Sequence, residues 1–154
     1  MSARRRYWLM KSEPDAFSID ALQEAGTEPW TGVRNYQARN FMRNGMKPGD
    51  GVLFYHSNCK PPGIVGVATV ASEAYPDPTQ FDRKSPYFDQ GATRARPRWF
   101  SVDVRAIRRT RIVPIAELRR HRPLAKMWVL RPGNRLSITP VSKAEWTFIT
   151  GKLL

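Results

Sequence analysis

Residues 30–58 carry aromatic rings, arginines and small polar side chains at a density that no other segment of the chain matches. Aromatic rings stack on nucleobases, polar groups hydrogen-bond to base edges, and guanidinium groups bind phosphate. Together these side chains predict recognition of a single base outside a duplex. They are Trp30, Tyr36, Phe41, Tyr55, Arg34, Arg39, Arg43, Asn35, Asn40, His56, Ser57 and Asn58.

A second candidate group, Lys11-Ser12-Glu13, follows the apolar run Tyr7–Met10. We predict a buried strand over Tyr7–Lys11, so the three polar side chains lie where the chain leaves the sheet, a common position for ligand contacts. A glutamate carboxylate such as that of Glu13 accepts a hydrogen bond from the N4 amine of cytosine. The alternative for Glu13 is an ion pair with an arginine.

The charge of the chain is unevenly distributed. The net charge is +13, with 26 basic and 13 acidic side chains, but residues 1–90 hold 11 basic and 10 acidic ones whereas residues 91–154 hold 15 and 3. Such a field attracts polyanions, and arginine favours bidentate phosphate contacts. We therefore predict a nucleic-acid partner; the alternative is a basic surface that is merely solvated. The predicted backbone contacts are Arg34, Arg39, Arg94, Arg96, Arg98 and Arg135.

Composition argues against several other classes. Two His and one Cys, without CxxC or HxxxH spacing, provide no closed metal site. Glycine-rich phosphate loops and a GxSxG nucleophile motif are absent. No run reaches the roughly 18 apolar residues of a membrane helix, and a single Cys suits a reducing compartment. We expect one domain over residues 1–154, monomeric and cytoplasmic, without metal, cofactor or membrane contact.

Helix signals occur at four places. Ser18 is a suitable N-cap for residues 19–25, which end at Gly26, and Asn35 is a suitable N-cap for a helix reaching Arg43. The sequence of residues 114–121 is typical of a short helix. The spacing of Ser142 and Glu145 is a capping box that opens a C-terminal helix.

Strand signals alternate with these helices. Apolar patterns predict strands over Val52–His56, Ile64–Ser72, Trp99–Ile107 and Arg135–Ile138, and residues 75–97 form a long loop of the kind that is often functional. Five or six short strands with peripheral helices indicate a mixed α+β fold, either a small curved sheet or a partly closed barrel.

Several motifs in a single order resemble the EVE domain: WLMKSEP, WTGVRNYQARNFMR, MKPGD, FYHSN, GIVGVATV, AYPDPTQFD, RPRW and RLSITPV. The resemblance spans Tyr7 to about Ile149. It implies a PUA-like pseudo-barrel of about six strands and a reader of modified bases, notably modified cytosine, by analogy with the aromatic cage of YTH domains. The matching YTH positions are Lys11-Ser12 and Trp30. Tyr75, Phe81, Tyr87 and Phe88 are the candidates for further cage aromatics.

Some of these residues have structural alternatives. Trp30 lies between Pro29 and Thr31-Gly32, a turn-like setting that favours a pocket wall over a core position. Asn35 has the alternative of being only a helix cap, and His56 that of a buried imidazole satisfied by the fold.

The sequence thus predicts a module that binds a modified base in DNA or RNA and is not an enzyme. The alternative is a small hydrolase on the same fold, acting on a modified nucleoside, with Lys11 as a base of lowered pKa oriented by Glu13. The predicted base-binding residues are Lys11, Ser12, Glu13, Trp30, Asn35, Tyr36, His56, Ser57 and Tyr87.

Overall fold

Two β-sheets form the centre of the structure, a computed structural model that describes residues 5–154. The strands are β1 (Tyr7–Ser12), β2 (Thr27–Pro29), β3 (Gly51–His56), β4 (Gly63–Val70), β5 (Tyr75–Pro76), β6 (Phe100–Ser101), β7 (Asp103–Pro114) and β8 (Ile138–Val141). Six of them form one sheet in the order β2-β7-β4-β3-β1-β8, while β5 and β6 pair separately. In the large sheet β1 runs parallel to β3, and the other neighbouring pairs are antiparallel.

Four short α-helices accompany the strands within residues 5–154. They are α1 (Ile19–Ala25), α2 (Tyr36–Asn40), α3 (Ile115–Leu118) and α4 (Lys143–Phe148), and α2 and α4 each continue into a π-helical segment, Phe41–Gly45 and Ile149–Leu153. The predicted caps are present: the side chains of Ser18 and Asn35 accept hydrogen bonds from backbone N–H groups three residues on, and Ser142 and Glu145 form the capping box. None of the helices described in residues 5–154 is long and apolar enough to cross a membrane.

The large sheet has an apolar cluster on each face. In β1, Trp8 and Met10 belong to one cluster and Leu9 to the other, as the alternation of side chains along a strand requires. All eight residues of β4 are buried, which fits its place between β3 and β7. The polar residues at the end of β1 therefore emerge from a rigid, doubly covered strand.

The expectation of a mixed α+β fold with about six strands and peripheral helices is confirmed. The sheet is open, because its two edge strands, β2 and β8, do not pair with each other. The sequence did not predict β2, which has only three residues, and β7 extends to Pro114, where a helix was expected to begin. The last strand covers Ile138–Val141 rather than 135–138. Backbone pairing outweighed local propensity at these positions.

Candidate nucleic-acid interface

A cavity of about 540 Å³ opens at the C-terminal end of β1. Its wall combines the end of β1, the segment that follows β2, and one residue of the loop 75–97. The lining residues are Lys11, Ser12, Glu13, Ala16, Phe17, Glu28, Pro29, Trp30, Thr31, Gly32, Val33, Arg34, Tyr87 and Ser137. Five of the nine predicted base-binding residues thus meet at one cavity: Lys11, Ser12, Glu13, Trp30 and Tyr87.

Trp30 is both a cavity wall and a core residue. Its side chain meets the ring of Phe54 edge-on at 5.7 Å between centroids, and its backbone N–H donates to Val102 O at 2.8 Å. Only 9% of the residue is exposed. The sequence placed Trp30 in a turn outside the core; the structure places the turn against the sheet, so most of the ring is packed.

Tyr87 is the loop aromatic that reaches the cavity. Its ring lies against Gly32, where an added Cβ would come within 2.8 Å of the ring carbons, and Gly32 has φ +85°, a conformation that favours glycine. Tyr87 is 44% exposed. Of the four aromatic candidates in the loop, Tyr75 instead donates its hydroxyl to Asp103 at 2.5 Å, and Phe81 packs under Arg94.

Arg34 fastens the loop to the cavity wall. Its guanidinium donates to the carbonyl oxygen of Tyr87 at 2.6 and 3.1 Å, to Asp77 Oδ2 at 3.1 Å and to Thr79 Oγ1 at 3.0 Å. It also lies 5.5 Å from the centroid of the Tyr87 ring. Arg34 was predicted to contact phosphate; these contacts occupy most of its donors, so we assign it a positioning role.

Asp77 is the buried centre of this network. Besides Arg34 it accepts hydrogen bonds from Gly32 N at 2.8 Å and from the Thr79 hydroxyl at 2.6 Å. Burial acts to raise the pKa of Asp77, but the hydrogen bonds from Thr79, Gly32 and Arg34 outweigh it and lower the pKa below its ordinary value. Sequence reasoning missed Asp77, because its partners Gly32 and Arg34 are distant in the chain and only the fold brings them together.

Lys11 is a half-buried cation in the wall of the cavity. Its ammonium group lies 5.8 Å from the centroid of the Tyr55 ring, and burial lowers the pKa of Lys11 from its ordinary value. Burial disfavours the charged form of a lysine unless an anion compensates it. A bound phosphate or the polar edge of a base would supply such compensation.

Ser12 and Glu13 present their polar atoms at the same edge. The Ser12 hydroxyl donates to Phe17 O at 2.6 Å, and Glu13 Oε1 accepts from the Asn58 side chain at 3.4 Å. Glu13 is exposed, and a second carboxylate, that of Glu28, lines the cavity although the sequence did not single it out. Two carboxylates are therefore available to accept from an exocyclic amine.

The other four predicted base-binding residues do not line this cavity. Asn35 caps α2, accepting from Ala38 N at 3.0 Å, and Tyr36 stacks on Trp99 at 4.8 Å. His56 Nε2 accepts from Ile19 N at 3.1 Å, and the Ser57 N–H donates to Ser12 O. The alternative structural roles of Asn35 and His56 are thus the ones their contacts match. Burial lowers the pKa of His56, consistent with a neutral acceptor.

The predicted phosphate-binding arginines differ in their partners. Arg94, Arg96 and Arg135 are exposed. Arg98 instead pairs with Asp89 at 3.3 Å, and Arg39 donates to Arg98 O at 2.9 Å. Within residues 5–154 the structure brings together no group of three or more His, Cys, Asp or Glu side chains that would hold a metal ion.

Comparison with known proteins gives the family. The sequence model of the EVE domain matches residues 6–152, and the chain belongs to the EVE domain family. Thymocyte nuclear protein 1 of Gallus gallus is 45% identical over an alignment that covers 93% of this chain. The chain spans 66% of that relative's length.

Solved structures agree with this assignment. The human THYN1 protein, in complex with 5-methylcytosine-containing DNA, is 43% identical and superposes with a TM-score of 0.88 over 95% of this chain and 96% of that one. An ASCH protein of Zymomonas mobilis superposes with a TM-score of 0.55 over 96% of this chain and 99% of that one, at 11% identity. The second likeness concerns the fold alone and supports the expected PUA-like architecture.

Proposed function

We propose that this protein binds a modified cytosine of DNA in the cavity at the end of β1. The observation that carries the proposal is the meeting of Lys11, Ser12, Glu13, Trp30 and Tyr87 around about 540 Å³. A volume of this size is typical of small-ligand sites and accommodates one base. The 43% identical human THYN1 protein is in complex with DNA that contains 5-methylcytosine, which supports this choice of ligand.

Each part of the wall has a role in the proposed site. Trp30 and Tyr87 supply aromatic surface for the base, and Glu13 or Glu28 accepts from the N4 amine, a contact that distinguishes cytosine from thymine. Lys11 compensates negative charge. Arg94, Arg96 and Arg135 are exposed and bind the flanking phosphates.

A binding module fits the site better than a hydrolase does. The hydrolase alternative requires Glu13 to orient Lys11, but none of the ion pairs found in residues 5–154 joins these two residues, and Glu13 contacts Asn58. Although burial lowers the pKa of Lys11 as a general base would need, a base without an orienting partner is a weak catalyst. We therefore propose binding without turnover.

Titration of the protein against cytidine, 5-methylcytidine and 5-hydroxymethylcytidine, as nucleosides and within DNA and RNA oligonucleotides, tests the proposal. We expect saturable binding with preference for a modified cytosine, and recovery of the nucleoside unchanged. Equal affinity for modified and unmodified cytosine would overturn the reader function, and release of a modified product would replace it with the hydrolase. Monomeric state, a single domain over residues 1–154 and cytoplasmic location stay predictions.

A further inference from the structure

A second, larger cavity of about 920 Å³ lies at the opposite end of β1. The start of β1, the π-helical segment after α2, and the junction of β8 with α4 form its wall. The side chains that matter for its chemistry are Arg5, Arg6, Trp8, Phe41, Asn44 and Lys143.

The floor of the second cavity is aromatic and rigid. Trp8 donates its indole N–H to the buried carboxylate of Asp50 at 3.0 Å, and its ring lies 5.5 Å from that of Phe41 with a 49° tilt. Gly45 lets the π-helical segment pack directly against the Trp8 ring, because an added Cβ would come within 2.9 Å of it, and only 3% of Trp8 is exposed. Phe41 is half-buried and lines the cavity, so of these two rings it is the one that offers aromatic surface for stacking by a base.

The rim of the second cavity is cationic. Arg5, Arg6 and Lys143 are exposed, and no acidic residue is among those that line the cavity. Arg5 is held over the rings of Tyr7 and Trp146 at 5.2 and 5.5 Å, and its Nε donates to Gly49 O at 3.0 Å. Aromatic floor and cationic rim together match a nucleotide, with its base inside and its phosphate at the edge.

Helix α2 and the π-helical segment connect the two cavities. Arg34, just before α2, lines the first, while Asn40 and Phe41 line the second. Between them the Arg39 guanidinium lies 4.8 Å from the centroid of the Tyr36 ring, which is 53% exposed. Aromatic surface and positive charge are therefore also present on the surface between the two cavities.

We propose that the second cavity binds another nucleotide of the strand whose modified base occupies the first cavity, with the strand running along residues 36–45. This inference rests on the proposed function and adds a second nucleotide site and a path for the polymer. The π-helical segment fits the assignment, since such segments are rare and frequently occur at functional sites.

Photo-crosslinking maps the path directly in the unmodified protein. Single-stranded DNA with one 5-methylcytosine carries 5-iododeoxyuridine at one other position, moved outward nucleotide by nucleotide on each side. We expect one position, on one side only, to crosslink to the peptide that contains Trp8 or Phe41. Crosslinks from every position to β7 and none to these two residues would overturn the proposed path.

Affinity measured against strand length gives the second test. We expect affinity to rise as the strand reaches the second cavity, and the double variant Arg6→Gln/Lys143→Gln to lose that rise. The slope of log affinity on log salt should then flatten by about 0.7 for each phosphate that the two residues neutralise. Both residues are exposed, and Arg6 contacts Asp50 through its backbone N–H, so folding should be preserved.

The matched control is Arg122→Gln/Lys152→Gln, which removes the same net charge from exposed positions that do not line the second cavity. An equal loss in both double variants would overturn the second nucleotide site and leave only a general charge effect. Binding of the free 5-methylcytidine nucleoside should be unchanged in both. That measurement separates the two ideas, because a protein that does not prefer the modified nucleoside fails the proposed function itself.

Discussion

The first cavity and the basic second half of the chain are built in opposite ways. Behind the wall of the first cavity, the buried carboxylate of Asp77 accepts hydrogen bonds from Gly32, Arg34 and Thr79. In the second half, Arg94, Arg96 and Arg135 are exposed to solvent. A fixed wall provides selectivity for one base, whereas exposed cations provide affinity that depends on salt but not on sequence.

This contrast explains why two kinds of arginine are present. Arg34 directs its donors to Asp77, Thr79 and the backbone of the loop, so it fixes geometry. Arg94, Arg96 and Arg135 instead present their side chains to solvent. The contrast fails if the cavity wall does not depend on the buried network around Asp77, or if the exposed cations change the base preference. Four predictions test it in order of decreasing effect.

The largest effect should come from Asp77→Ala. The substitution leaves Gly32 N–H, Arg34 and Thr79 without their acceptor, so we expect the free energy of unfolding to fall by about 3 kcal/mol. Because the same network holds Tyr87, binding of the modified nucleoside should fall as well. Chemical denaturation and calorimetric titration measure the two effects.

Asp20→Ala is the matched control for this change. Asp20 also pairs with an arginine, Arg109, at 2.8 Å, but the two side chains are 60% and 59% exposed. Such pairs contribute about 1 kcal/mol or less. If Asp77→Ala were no more destabilising than Asp20→Ala, the wall of the cavity would not depend on the buried network.

Tyr87→Ala should weaken binding with little loss of stability. Tyr87 is 44% exposed, so removal of its ring should change the melting temperature only slightly, while the loss of one aromatic stack weakens binding by roughly 1–3 kcal/mol. The neighbouring Phe88→Ala is the control, since Phe88 is also exposed and does not line the cavity. Equal affinities of the two variants would remove Tyr87 from the site.

The sequence predicted that Trp30 forms a pocket wall, but it did not predict how deeply the ring is buried. The positions of Trp30 and Lys11-Ser12-Glu13 at a common site were predictable, because the motifs resemble a known family and the strand end is clear. The burial of Trp30 was not, since it depends on contacts with Phe54 and Val102, far along the chain. Trp30→Ala is therefore expected to reduce stability and binding together, so Tyr87 is the better probe.

The fold was predictable to a similar degree. Helix caps at Ser18, Asn35 and Ser142 rest on side chains only three residues from their partners, so local sequence indicates them. The short strand β2 rests on pairing between residues 27–29 and 103–105, and the extension of β7 to Pro114 rests on pairing with residues 63–70 of β4; no local pattern encodes either pairing. Asp77 was missed for the same reason.

The exposed arginines should affect the salt dependence of binding but not the preference for the modified base. Arg94→Gln/Arg96→Gln/Arg135→Gln should flatten the slope of log affinity on log salt by about 0.7 for each phosphate that these arginines neutralise, and the preference for modified over unmodified cytosine should stay the same. Arg98 is a poor choice for this test because it pairs with Asp89. Fluorescence anisotropy over a salt series measures both quantities. A change in base preference would contradict the division between wall and surface.

The smallest effect concerns Lys11, where binding and stability should change in opposite directions. Burial lowers the pKa of Lys11 below 10.5, so the folded state disfavours its charged form. The loss of stability from burying the charge is fully present below the folded-state pKa. Between that pKa and 10.5 this loss decreases as the pH rises, because the unfolded chain then binds more protons than the folded protein. Replacing Lys11 by methionine removes this cost, so Lys11→Met should be more stable than the wild type at neutral pH.

The stability advantage of Lys11→Met should shrink as the pH rises toward 10.5, and the variant should bind the modified nucleotide more weakly. Thermal melting between neutral and alkaline pH measures the first effect, and titration at neutral pH measures the second. Lys126→Met, at an exposed position, controls for loss of one positive charge. A Lys11→Met protein that is more stable yet binds as tightly as the wild type would mean that this half-buried cation serves neither the fold nor the proposed ligand.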